Sequence, residues 1–284
     1  MSLSARPYSY FFFSLLLALV LSAWLSLESS VWWVVCSALV LLAGLPHGAY
    51  DMVIMRDRHK GARLVAMLFG YLALVGAVIA LWVLEPLVLL VCFLAYSAYH
   101  FGDSDFANAT YLHKVSWGSS IVGLPALMSN STVTALFTVL TGPGGVATLV
   151  NGLALFGLVA VLTHIYGARQ RVRAAALLAT YALVCWAAGA LVAFTCYFVC
   201  FHSPLHLQHW RRKVGVNGAG TIYGLSLLVI GVVAGAIWAA SLGQPTTFDI
   251  FDDITLRYTF VAIAALTVPH MTLLVIENVR RRRT

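Results

Sequence analysis

Charge is scarce in this sequence. Asp, Glu, Lys and Arg make up 10% of its 284 residues, against about 25% in a soluble domain. Hydrophobic residues make up 61%, and the mean hydropathy is +0.91, so an ordinary soluble globular protein is excluded. Acidic residues are the scarcer sign, 10 against 17 Lys+Arg. The basic excess lies in short clusters between apolar runs, not in a stripe able to track a phosphate backbone, which excludes nucleic acid as a partner. Paired cysteines are also lacking. Cys36, Cys92, Cys185, Cys196 and Cys200 all lie inside apolar runs with no CxxC pair, so the expectation is five buried small hydrophobes and neither a disulfide framework nor a thiolate metal site. No repeat with a period of about 20–50 residues and no low-complexity linker divides the chain. Residues 1–284 are therefore read as a single membrane domain.

Long apolar runs are what the sequence does have. A bilayer core of about 30 Å takes about 20 apolar residues per crossing, and the chain is expected to be all-α, a polytopic transmembrane bundle of about 8–10 helices. The candidate helices are Tyr8–Leu27, Val31–Asp51, Arg63–Leu84, Pro86–Asp103, Val115–Val139, Val146–Tyr166, Arg173–Gly189, Ala190–Trp210, Thr221–Leu242 and Arg257–Val279. The first resembles a signal peptide behind Arg6, but its long apolar core and the lack of an A-x-A site favour a retained helix. Pro125 and Ser129-Asn130-Ser131 interrupt the fifth. Arg173 to Trp210 as one rod would be roughly 55 Å long, so a turn near Ala187–Ala190 is required, as a hairpin or a re-entrant half-helix.

Short cytoplasmic loops are enriched in Lys and Arg. With both termini cytoplasmic, Arg6, the Arg56/Arg58/Lys60/Arg63 loop, Lys114, Arg169/Arg171/Arg173, Arg211/Arg212/Lys213 and Arg280 to Arg283 all fall on one side, and only Arg257 does not. Glu28, Glu85 and Asp249/Asp252/Asp253 fall on the other.

Nine histidines are many for so apolar a chain, and ionisable residues in membrane segments are functional-site candidates by default. His59 and His113 stand in charged loops and read as solvated or interfacial; His164 has no partner at helical spacing and reads as structural. The topology drawn from Lys and Arg brings the rest to similar depth near the cytoplasmic face. His47 ends the second helix and His100 the fourth. His202, His206 and His209 end the eighth, and His270 lies in the inner half of the tenth. His202 and His206, four apart, share a helix face and can hold one metal ion, but no glutamate stands between them as in an HExxH protease. Pro204 can kink that turn. His209 continues the face as a ligand, a supporting group or an interfacial residue. Neutral imidazoles suit iron, copper, zinc or nickel. Asp51, four residues after His47, and Asp103 and Asp105, three and five after His100, can accept the other ring N–H of a ligating histidine or else pair with Arg or Lys. Tyr96, Tyr99 and Phe101 line an apolar tunnel or face lipid.

Four motifs carry a resemblance: GLPHGAYD at Gly44 to Asp51, YHFGDSD at Tyr99 to Asp105, HSPLH at His202 to His206 and TVPHM at Thr267 to Met271. In this order they resemble the Brp/Blh family of integral-membrane β-carotene 15,15′-dioxygenases. The resemblance implies a non-haem Fe(II) held by His47, His100, His202 and His206, with His270 as a candidate fifth ligand or supporting residue. It further implies oxidative cleavage of β-carotene by O₂ at the central double bond to two molecules of retinal, with a microbial rhodopsin as a candidate recipient. The expected location is the cytoplasmic membrane, with an apolar slot for the hydrocarbon. Two other readings stay open: a haem-binding electron-transfer protein, since histidine pairs from different helices also hold haem, and a non-enzymatic transport or assembly factor for retinal proteins.

Overall fold

The computed structural model describes residues 6–25, 30–214, 219–242 and 248–281, leaving aside the side chains of 6–7, 30, 45–49, 210–214, 219–223, 225, 248–252 and 277–281. His47, Gly48 and the Arg211/Arg212/Lys213 and Arg280 to Arg283 clusters therefore lie outside the described side chains. The described residues are α-helical with no strands. In order they form α1 (Arg6–Ser22), α2 (Ser30–Arg58), α3 (Ala62–Leu84), α4 (Pro86–Asp105), α5 (Tyr111–Met128), α6 (Asn130–Thr141), α7 (Val146–Gly167), α8 (Arg171–Ala188), α9 (Ala190–Tyr197), α10 (Ser203–Val214), α11 (Ala219–Ser241) and α12 (Phe248–Arg281). A π-helical turn, Phe198–His202, joins α9 to α10.

Among the described residues, six stretches are long and apolar enough to cross a membrane: α3, α4, α7, α8, Ala190–His209 and Asp253–Ile276. The pair α5 and α6 would be a seventh, but it is bent by 105°. The described side chains of α1, α2 and α11 add three shorter apolar stretches. The chain is thus a multi-pass membrane protein. Its outer surface is correspondingly apolar, with Phe69, Leu72, Val83, Leu155 and Leu162 exposed; in a bilayer such residues face acyl chains. Cys92 is exposed as well, against the expectation that all five cysteines are buried. A thiol in an apolar run is as compatible with lipid as with a core.

Each interruption foreseen in the fifth, seventh and eighth runs has a local cause. The turn between α8 and α9 is at Gly189, whose φ of 89° and ψ of 157° belong to a region essentially restricted to glycine. The α5–α6 bend is at Ser129, whose N–H still reaches the carbonyl of Pro125 at 2.9 Å while its hydroxyl donates across to the carbonyl of Cys185. Before Pro204 the helix widens to the π form, and the N–H of Ser203 bonds the carbonyl of Phe198 five residues back. Pro204 has no N–H to give to Cys200, and the wider turn absorbs the irregularity within the helix.

Helix α5 is the centre of the packing. A Cβ on Gly118 would stand 1.7 Å from the carbonyl oxygen of Ala98, and one on Gly102 would stand 1.9 Å from that of Lys114. The α4 and α5 backbones therefore touch over more than one place, which small residues permit in membranes. One buried cluster joins α1, α5, α8, α9 and the π turn through Phe11, Trp117, Tyr181 and Phe201. A second joins α3, α4, α6, α7 and α12 through Trp82, Leu136, Val150 and Ala264.

Candidate metal centre

Three helices deliver three imidazoles to one place. His100 near the end of α4, His206 in α10 and His270 in the second half of α12 each offer a nitrogen, and these atoms lie within 4.8 Å of one another. All three residues are buried. The ring centroids of His206 and His270 are 5.0 Å apart, and His100 stands 5.7 Å from each. The ring of His202 adjoins this group, 5.2 Å from His100 and 6.0 Å from His206. It is outside the three-donor group, whereas His270, expected only as a candidate fifth ligand, is inside it.

The rings of His202, His206 and His270 each have a polar neighbour. The Nδ1 of His270 is 2.6 Å from Asp51 Oδ1, and Asp51 Oδ2 accepts the Tyr71 hydroxyl at 2.9 Å. The Nδ1 of His202 is 2.9 Å from Asp105 Oδ1, while Asp105 Oδ2 accepts Trp117 Nε1–H at 2.8 Å and the Tyr197 hydroxyl at 2.6 Å. Where a carboxylate accepts from Nδ1, the histidine would carry its proton there and leave the lone pair of Nε2 for a metal. His206 Nδ1 lies 3.1 Å from the Ser104 hydroxyl. The Nε2 atoms of His206 and His270 are themselves buried.

The carboxylates thus do what their sequence positions allowed, but across helices. Asp51 of α2 reaches His270 of α12, and Asp105 of α4 reaches His202 of the π turn. Asp103 turns away and pairs with Lys114 at 2.7 Å. His209 is exposed on α10. Tyr71, Ser104, Trp117 and Tyr197 were missed, because a tyrosine, serine or tryptophan in an apolar run reads as packing until a carboxylate is seen beside it. The other histidines also differ from expectation. His59 is buried rather than solvated. His113 belongs to α5, not to a loop, and its ring centroid is 4.2 Å from that of the buried His164. Ser116 lies 3.3 Å from His164 Nδ1, which suits the structural part expected of that residue.

The donor set fits a transition metal. Neutral imidazoles are good ligands for iron, copper, zinc or nickel. Asp51 and Asp105 are both buried, and two carboxylates without compensating charge are costly there. A dipositive ion among the rings balances both.

An apolar cavity begins at His100, His202 and His270 and extends along α12 as far as Leu256. Helices α2, α4, α5, α6 and α9 complete its wall, with Phe101 among the lining residues but neither Tyr96 nor Tyr99. One end therefore offers imidazoles and the rest offers hydrocarbon.

Comparison with known proteins agrees with this arrangement. The family model described as beta-carotene 15,15'-dioxygenase matches residues 38–276. A protein of that name from uncultured marine bacterium 66A03 is 33% identical over 258 residues, covering 84% of this chain and 90% of the relative. No solved structure matches.

Proposed function

Since the chain belongs to the beta-carotene 15,15'-dioxygenase family and is an enzyme of that kind, we propose that it cleaves β-carotene at the central double bond with O₂, giving two molecules of retinal. The clustering of His100, His206 and His270 around one point, with His100 and His270 also lining an apolar cavity, is the observation that carries the reading. Iron(II) is the metal, bound by imidazoles drawn from His47, His100, His202, His206 and His270. When bound, it supplies a site at which O₂ and the alkene react. One C=C bond and one O₂ become two C=O groups, so no external reductant or proton source is consumed.

The chain's own residues bind, orient and exclude. Asp51 and Asp105 fix the tautomers of His270 and His202. Tyr71, Trp117 and Tyr197 hold those carboxylates in place. Phe101, Phe194 and Ile263 line the cavity and keep water from the reacting bond. The substrate enters from the bilayer, and the histidines lie toward the cytoplasmic side of the cell membrane, as the Lys and Arg distribution supports. A microbial rhodopsin is a candidate recipient of the product.

Iron content and retinal formation test the reading together. His100→Ala, His206→Ala and His270→Ala each lower bound iron and abolish retinal; full iron and full activity in one of them removes that residue from the ligand set. The same assay on His47→Ala and His202→Ala decides whether either completes the coordination. A Soret band in the purified protein would favour haem instead.

A further inference from the structure

Helix α6 has no place in a simple bundle. It departs from the line of α5 by 105° and packs against the second buried cluster through Val133, Leu136 and Leu140. Residues 133, 136, 137 and 140 form one helical face, and all four line the cavity. The C-terminal end of α6 is tied down by Arg257, whose Nη2–H and Nε–H both donate to the carbonyl of Val139, at 2.8 and 3.2 Å. Carbonyls in the last turn of a helix lack an internal partner, and a guanidinium there both bonds and complements the helix dipole. Arg257 was the one basic residue on the wrong side of the charge distribution. This contact gives it a purpose unrelated to orientation.

The tie also locates the end of the cavity. Arg257 follows Leu256, so the Val139–Leu140 end of α6 sits beside Leu256, fourteen residues or about 21 Å of helix from His270. Van der Waals contact of about 3.5 Å at each end leaves about 14 Å for a ligand. An extended carbon chain advances about 1.2 Å per bond. The nine bonds from a central carbon of β-carotene to its ring therefore span about 11 Å, and the ring adds about 4 Å more.

We infer that the apolar face of α6, held by Arg257 and closed by Leu140 and Leu256, is a stop that receives one ring of the substrate and so sets which double bond reaches the histidines. The inference rests on the carotenoid-cleaving activity proposed above. Adjacent double bonds of a polyene are about 2.4 Å apart, so a change in seating depth of that size selects a different bond.

The test is product length, measured by chromatography of carbonyl products from β-carotene. Leu140→Trp shortens the seat, and Leu140→Ala and Arg257→Ala deepen or loosen it. None of these residues touches a histidine of the cluster. The expected result is a shift of cleavage by one double bond, with pairs of unequal carbonyl products replacing retinal in Leu140→Trp and accompanying it in the other two. If folded Leu140→Ala and Arg257→Ala both release retinal alone, the stop is overturned, whether Leu140→Trp is unchanged or merely inactive. If the unmutated protein releases no carbonyl product, the proposed activity fails, and the stop fails with it.

Discussion

Two buried aspartates carry much of the order at the centre. Each touches a histidine ring on a different helix and is held by tyrosine or tryptophan donors. Removing a group that orients a ligating histidine usually costs 10–100-fold in metal affinity or activity. Asp51→Asn and Asp105→Asn are therefore expected to weaken iron binding by about tenfold or more, read by metal titration of the purified protein. Tyr71→Phe removes one donor to Asp51 and keeps the carboxylate, so its effect is smaller. Equal iron affinity in Asp105→Asn and the unmutated protein would mean that the carboxylate does not act through His202. A dipositive ion that offsets two buried carboxylates would also stabilise the fold. Iron(II) at a hundred times its Kd is expected to add about 2.7 kcal/mol, seen as a rise in melting temperature that is lost with His206→Ala. The candidate histidines were legible in the sequence; of the four segments expected at one depth, those of His100, His206 and His270 meet, and His47 lies outside the described side chains. Their pairing with the aspartates was not legible. Sequence distance puts Asp51 beside His47, but the rotation of each helix about its axis is decided by packing, and packing turns Asp51 toward His270.

The irregular elements make the site, and each has a marked residue. Gly189 permits the reversal between α8 and α9, and a side chain there is strained by about 1–3 kcal/mol. Gly118 lets α5 lie against α4, which brings Trp117 to Asp105. Gly118→Ala would put a Cβ 1.7 Å from the Ala98 carbonyl oxygen and force the backbones apart, at a cost of about 1–3 kcal/mol. Both variants are expected to lose thermal stability in detergent. Gly118→Ala should also lose iron, because it disturbs the Trp117–Asp105–His202 chain. Gly152 meets nothing within 4 Å, and Gly152→Ala is the neutral control; a similar loss there would deny the close-packing argument. The turn near Ala187–Ala190 and the break at Ser129 were readable from length and composition. The 105° angle at that break was not, because composition marks where a helix breaks and not the angle at which it resumes. The π turn was foreseen only as a kink at Pro204.

At the scale of the molecule, the helical, multi-pass character was legible in the apolar composition, because a bilayer leaves the backbone few choices; against the expected 8–10 helices, six stretches, or seven with the bent pair, are long and apolar enough to cross among the described residues. The ten apolar runs correspond to helices or pairs of helices among the described residues. The orientation expected from charge has its own check. A C-terminal fusion to a reporter active only in the cytoplasm is expected to be active, and activity from an externally exported reporter instead would invert the topology and move the histidine cluster to the other face. The cavity was expected only in outline, as a slot for a hydrocarbon. Its position, from the histidines to the α6–α12 contact, required the fold. The most direct measurement is made in cells that accumulate β-carotene, with the unmutated chain and His206→Ala expressed to the same level and β-carotene and retinal quantified by chromatography. The account predicts loss of β-carotene with retinal appearing only for the unmutated chain. Retinal formed equally by His206→Ala would contradict it.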